Sequence, residues 1–279
     1  MSQASADSLA AMRASGYGLS VINNTHAYFT RFGYVFAWPQ TSFYIKTEDL
    51  PTEAPAVRLV EANAYDLMGR ADLAEMYNRQ NKTVTGTAVR PTYRRSKHPM
   101  GESAPAFLLT GDVGQVVGYL LDPPPDEPGE RYWHDDSAGD TEQRLRVLGM
   151  LARRHECEGV YFARLPYAGE LATRLRRMNC EMKVEYRCDG GYLIRLVDLS
   201  VTLRAMAGEL GRRLARSHMA EWRGELLIET GDERAVLHIE RSDLCVGTQP
   251  EAAQSRTEHR IVGDQHVAQL LIGTYPPLE

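Results

Sequence analysis

Apolar residues fall in short runs along the whole chain, and their spacing predicts an alternation of strands and helices. A short helix at 8–15, with Leu9 and Met12 on one face and Gly16 at its end, leads into a strand at 18–22. The stretch Thr25-His26-Ala27-Tyr28-Phe29-Thr30-Arg31-Phe32-Gly33-Tyr34 then predicts a short aromatic helix. Apolar runs at 35–38 and 42–47 follow it, divided by Pro39-Gln40. Gly33 suits the helix C-cap, where a left-handed residue lets the chain reverse. Such an arrangement can wedge a helix beside a sheet and admit a thin ligand, or its aromatics can simply pack as core.

Residues 48–55 carry Pro51 and Pro55 among acidic and small residues and read as a linker. A strand at 57–60 and a helix at 66–78, with Leu67, Leu73 and Met76 as its apolar positions, come next. Runs at 107–110 and 115–121 predict a hairpin around Gly111-Asp112-Val113-Gly114. The proline-rich, acidic segment 122–130 is a solvated loop. Helix 141–156 (Leu145, Leu148, then Leu151 or Ala152), strand 159–163 and helix 168–179 (Leu171, Leu175, Met178) follow. Runs at 182–188 and 192–197 predict a second hairpin through Asp189-Gly190-Gly191. This alternation indicates a mixed α/β domain over 57–197.

A long amphipathic helix at 198–217 carries Leu199, Leu203, Met206, Leu210 and Leu214 on one face. Short strands at 225–229, 235–240 and 244–247 and a helix at 266–272, stopped by Gly273, complete an α+β layer. That layer encloses either an apolar slot or a filled core, and Trp222 and Tyr275 could line the one or belong to the other. The fragment before residue 50 is too small to enclose a core of its own. The expectation is therefore that strands precede Met1 in a complete domain, or that the rest of the chain covers the fragment.

Composition narrows the function classes. The 279 residues are 43% apolar and 25% charged with a formal net charge of -5, which argues against a nucleic-acid-binding face. The basic run at 90–97 reads as a solvated strand end. Cys157, Cys180, Cys188 and Cys245 include no CxxC pair and suggest no disulfide framework, consistent with a reducing cytoplasm. Cys180 and Cys188 flank one strand and read as packing residues. Residues 1–14 contain no lysine and no long apolar region, unlike a signal peptide. No apolar run approaches the roughly 20 residues of a membrane span. His134-Asp135-Asp136 lacks a second spaced ligand set and reads as a solvated turn, so no metal is expected. The scattered serines and eight histidines show no nucleophile elbow.

Arg31-Phe32-Gly33-Tyr34, placed after a strand and an aromatic residue, resembles the last helix and strand of a GNAT-superfamily acetyltransferase domain. The whole chain resembles, more narrowly, the enhanced intracellular survival family of GNAT proteins. Val57-Arg58-Leu59 through Asp66 and Met76-Tyr77-Asn78 look like the start of that family's second domain. Arg195-Leu196-Val197-Asp198 looks like the junction with its third, and Ala268-Gln269-Leu270-Leu271-Ile272-Gly273 like its final helix. The resemblance implies the C-terminal part of a GNAT domain at 1–50, a second GNAT-like domain at 56–197 and a sterol-carrier-like α+β domain at 198–279. It implies acetyl transfer from acetyl-CoA to a primary amine, on a small molecule or a lysine side chain, by a homo-oligomer. It also implies Tyr28 as a displaced candidate acid and Asn23, Asn24 and Arg31 as cofactor contacts.

The chain departs from the family pattern in three places. GNAT enzymes cradle pyrophosphate in an Arg/Gln-x-x-Gly-x-Gly/Ala loop between a strand and a helix N-terminus. Arg13-Ala14-Ser15-Gly16-Tyr17-Gly18 fits the letters, but a helix precedes it and a strand follows. Arg146-Val147-Leu148-Gly149-Met150-Leu151 fits in part and reads as helix interior. The family's acid, a tyrosine four residues before the glycine, is Phe29 here, which has no proton to give. The ending Tyr275-Pro276-Pro277-Leu278-Glu279 lacks the family's aromatic terminus. These departures make a truncated or catalytically degenerate acetyltransferase the expectation. The alternative is a non-catalytic protein that binds an apolar ligand or scaffolds an oligomer through the C-terminal layer.

Overall fold

The computed structural model describes residues 3–24, 27–84, 86–90, 105–121, 132–134, 136–185, 191–231, 233–247, 261–262, 267–268 and 271. The first elements are α1 (Gln3–Ala14), β1 (Leu19–Asn24), a 3₁₀ helix (Ala27–Phe32), β2 (Val35–Phe36) and β3 (Gln40–Lys46). Then come β4 (Arg58–Asn63), α2 (Ala64–Met68), α3 (Ala71–Asn81), β5 (Pro105–Thr110) and β6 (Val116–Leu121). Next are β7 (Tyr132–His134), β8 (Asp136–Gly139), α4 (Thr141–Arg154), β9 (Gly159–Phe162), α5 (Glu170–Leu175) and β10 (Cys180–Glu185). The remainder comprises β11 (Gly191–Leu196), α6 (Leu199–Ala215), β12 (Arg223–Glu229), β13 (Arg234–Glu240), β14 (Asp243–Gly247) and β15 (Ile261–Val262).

These elements form two compact units, one of residues 40–185 and one of residues 1–39 with 186–279. In the 40–185 unit, β4, β5, β6 and β8 make an antiparallel sheet, and a second sheet has the order β10-β3-β9-β7 with β7 parallel to β9. Strands β7 and β8 are separated only by position 135, yet they belong to different sheets. Helix α4 forms because Asp140 caps it, its carboxylate accepting the Gln143 N–H at 2.9 Å. Its apolar stripe, Leu145, Leu148, Leu151 and Ala152, is fully buried with Phe43, Ile45, Tyr132 and Phe162.

In the other unit, β1, β11 and β2 form one sheet, and the second has the order β14-β13-β12-β15. Helix α6 starts at Asp198, whose carboxylate accepts the Val201 N–H at 2.7 Å, and it buries Leu199 and Leu203. Those leucines share a core with Ile228, Ala235, Leu237, Val267, Ala268 and Leu271. Of the final helix expected at 266–272, residues 267, 268 and 271 are helical and the others lie outside the described residues.

Several expectations need correction. The runs near 182–188 and 192–197 are not a hairpin. Strand β10 pairs antiparallel with β3, Cys180 opposite Ile45 through Glu185 opposite Gln40. Strand β11 pairs with β1, Leu19 opposite Leu196 through Asn24 opposite Gly191. The Asp-Gly signal, which lies partly outside the described residues, favours a local turn. Burial of Leu193 and Ile194 in one unit and Phe43 and Ile45 in the other sets the pairing instead. The chain therefore passes between the two units at 39/40 and 185/186. The helix expected at 66–78 is two helices, because Arg70 is extended between them. The helix expected at 168–179 covers only Glu170–Leu175. His134 and Asp136 lie in strands rather than a solvated turn, and Arg90 is ion-paired with Asp136 rather than solvated.

Candidate functional site

Strand β1, the 3₁₀ helix and β2 carry the residues that the sequence singles out. Gly33 is left-handed, with φ +81°, and closes the turn through Gly33 N–H to Thr30 O at 3.0 Å and Tyr34 N–H to Phe29 O at 3.3 Å. The Arg195 guanidinium donates to Phe32 O from β11. Tyr34 is buried, and its hydroxyl meets Ser20 Oγ at 2.6 Å. Phe29 is half-buried against Tyr34, its ring 5.8 Å away, in a small cluster with Phe32 and Leu193. A Cβ on Gly33 would lie 3.3 Å from Arg195 Nη1 in a backbone conformation that L-residues rarely adopt. Gly33→Ala is therefore expected to cost about 1–2 kcal/mol in urea unfolding, with faster amide exchange confined to 27–36.

Tyr28 is 47% exposed, and the Arg31 guanidinium stacks 3.6 Å over its ring. Asn23 is exposed on β1, opposite Tyr192, and shares no hydrogen bond with Tyr28 or Arg31. Asn24 is described by its backbone alone, opposite Gly191. The structure thus joins Tyr28 to Arg31 and leaves Asn23 apart from both.

A second constellation, which no sequence motif marks, lies where β6, β7, β8 and α4 meet. Arg90 pairs with Asp136 at 2.6 Å, donates to the Tyr119 hydroxyl at 2.5 Å and stacks 3.3 Å over Tyr77. Burial pulls the Arg90 guanidinium down, but Asp136 and then Tyr119 and Tyr77 raise it above its ordinary value. Burial likewise pushes the Tyr119 phenol well up. Arg144, 3% exposed, donates to Ser137 Oγ at 3.0 Å and Thr141 Oγ1 at 2.7 Å, and its Nε has no hydrogen-bond partner. Ser137 Oγ also lies 3.1 Å from Nε2 of His134. Burial holds the Arg144 guanidinium below its ordinary value. This cluster spans the point where the chain passes from one sheet to the other. Only its alternating strand-type residues could have signalled it.

Neither glycine motif forms a phosphate cradle. In 13–18 the amides of Gly16 and Tyr17 are spent on Arg13 O and Met12 O at the end of α1, Arg13 is ion-paired with Glu233, and a Cβ at Gly18 would collide with Thr202. The segment 146–151 is interior to α4, where Gly149 makes room for Pro51 O. The strand-to-helix junction from β8 to α4 is a single residue, Asp140, whose own carboxylate occupies the helix N-terminus. The Gly139 N–H is taken by Gln80 Oε1 at 3.0 Å, and Glu142 adds a further negative charge, ion-paired with Arg174. A second anion there would meet the like charge of Asp140 and Glu142. Neither glycine motif therefore offers a cradle for the pyrophosphate of a coenzyme A thioester. Among them, no group of three or more His, Cys, Asp or Glu could hold a metal ion, and no helix is long and apolar enough to cross a membrane.

The architecture has solved counterparts. A GCN5-related N-acetyltransferase from Anabaena variabilis superposes with a TM-score of 0.64 at 14% identity, over 96% of this chain and 66% of that one. The chain has a GNAT-type fold. A probable N-acyltransferase from Enterococcus faecalis gives 0.62 at 13% identity, over 96% and 66% of the two chains. Eis1 from Mycobacterium abscessus gives 0.57 at 16%, over 96% and 66%. The GNAT-type chain thus spans just under two thirds of the length of each of these proteins. No protein-family profile and no curated protein matches it.

Proposed function

We propose that the protein is a GNAT-type member of the acetyl-CoA-dependent N-acetyltransferases, of the enhanced intracellular survival kind, whose chain as described is catalytically degenerate. The class reaction moves an acetyl group to a primary amine, on a small molecule or a lysine side chain. It requires a phosphate cradle and an acid for the departing thiolate. The α4 N-terminus, capped by Asp140, bears only on the second GNAT-like domain; the observation that carries the reading is Phe29, half-buried in aromatic packing at the position that the resemblance gives to the acid. Tyr28, Arg31, Asn23 and Asn24 remain the candidate contacts beside that position. The same reading takes 198–279 as a sterol-carrier-like layer in a cytoplasmic homo-oligomer.

Thermal melting with millimolar acetyl-CoA tests the proposal. An intact site with cofactor at about a hundredfold its Kd would gain about 2.7 kcal/mol of stability. The expected result is no saturable shift and no coenzyme A thiol release with amine acceptors. A saturable rise in Tm accompanied by thiol release would overturn it.

A further inference from the structure

The sheet beside α6 carries a row of chemistry unrelated to acetyl transfer. In its register Glu225 of β12 lies opposite His238 of β13, and His238 lies opposite Cys245 of β14. Side chains alternate between the two faces of a strand, so neighbouring rows point to opposite sides. The next row, Leu226, Leu237 and Val246, belongs to the core beneath α6. Glu225, His238 and Cys245 therefore share the face turned away from α6. Directly opposed residues place their Cβ atoms about 4.5–5.5 Å apart.

The three side chains differ in role. Nδ1 of His238 lies 3.0 Å from Glu225 Oε1, and both side chains are about four-fifths buried, with 23% and 17% exposure. This contact fixes the ring and leaves Nε2 as its other nitrogen, with no hydrogen-bond partner among the described residues. Cys245 is exposed and sits on β14, the edge strand of its sheet. A nucleophile, an adjacent base and a carboxylate orienting that base are the elements of an activated thiol.

We propose that Cys245 is a site of reversible thiol–disulfide exchange, with His238 as proton acceptor, Glu225 as the residue positioning it, and a low-molecular-weight disulfide as substrate. The Cys245 sulfur bonds to one sulfur of the disulfide while its proton passes to His238 Nε2. The S–S bond of the small molecule breaks, and the departing thiolate takes up that proton. The product is a mixed disulfide and one free thiol, a second thiol reverses the step, and no outside oxidant is consumed. Acyl transfer to the same sulfur would need donors for an oxyanion, and this row offers an imidazole and a carboxylate instead. The other described cysteines serve as internal controls. Cys157 and Cys180 donate to His155 O and Leu175 O, and burial pushes both thiols up.

The test uses oxidised glutathione as probe on the full chain at neutral pH, with adducts at each cysteine followed by peptide mass spectrometry. Cys245 is expected to react on the order of tenfold faster in the folded protein than in the urea-unfolded chain, a modest general-base effect. His238→Gln is expected to remove that advantage, and Glu225→Gln to reduce it. Equal rates at Cys245 in folded and unfolded protein would overturn the proposal, as would a His238→Gln protein that reacts as fast as the parent. The folded-against-unfolded comparison decides the matter even if a variant fails to fold.

Discussion

Arg90→Met is expected to lower the unfolding free energy of the 40–185 unit by about 3–5 kcal/mol, as for removal of one partner from a buried ion pair. The guanidinium serves Asp136, Tyr119 and Tyr77 together, and the Asp136 side chain keeps only 20% of its exposure. Methionine restores most of the volume but none of the charge, so the carboxylate and the Tyr119 hydroxyl are left without their cation. The main-chain bonds of Arg90 with Asn78, at 2.7 and 2.8 Å, survive the change. Urea unfolding monitored by tryptophan fluorescence measures the loss. Arg90 is raised above its ordinary value in the folded state, so its contribution is fully present below the ordinary arginine range and is lost only above it. The deficit should therefore be the same at about pH 6 and about pH 9. A loss under about 1 kcal/mol would mean that the cluster is open to water.

Phe43→Ala is expected to cost about 3–5 kcal/mol, the range for emptying a buried aromatic site. Phe43 is 0% exposed and packs with Leu145, Leu148, Val160 and Phe162. Its position also tests the strand assignment. If β3 belongs with β9 and β10, hydrogen exchange should lose protection over 40–46, 159–162 and 180–185 while β1 and β11 keep theirs. Loss of protection in 19–24 instead would place β3 with the first fragment and refute the pairing.

The local signals in the chain were good guides to local structure. Gly33 adopts the left-handed conformation expected of a C-cap, and Gly111 to Gly114 turns β5 into β6. The glycine motif at 13–18 was legible as a mismatch, because its helix-before-strand context can be read from periodicity alone. Phe29 at the acid's position was equally plain. The Arg90–Asp136–Tyr119 and Arg144–Ser137–His134 contacts were not legible. Their members come from separate strands, a helix and the segment after α3, and each looks ordinary in its own neighbourhood.

Sequence by itself determined most of the elements and their order, the Gly33 C-cap and the resemblance to acetyltransferases, because these depend on contacts within a few residues or on residue identity. Tertiary structure decided which strands pair. An Asp-Gly turn between two apolar runs favours a hairpin, but β10 joins β3, whose residues Thr41 to Ile45 are buried, and β11 joins β1 in a separate sheet. Pairing of the consecutive strands β12, β13 and β14 likewise brought Glu225, His238 and Cys245 into one row. Register is a choice among distant partners made by burial, and no window of sequence contains both sides of it.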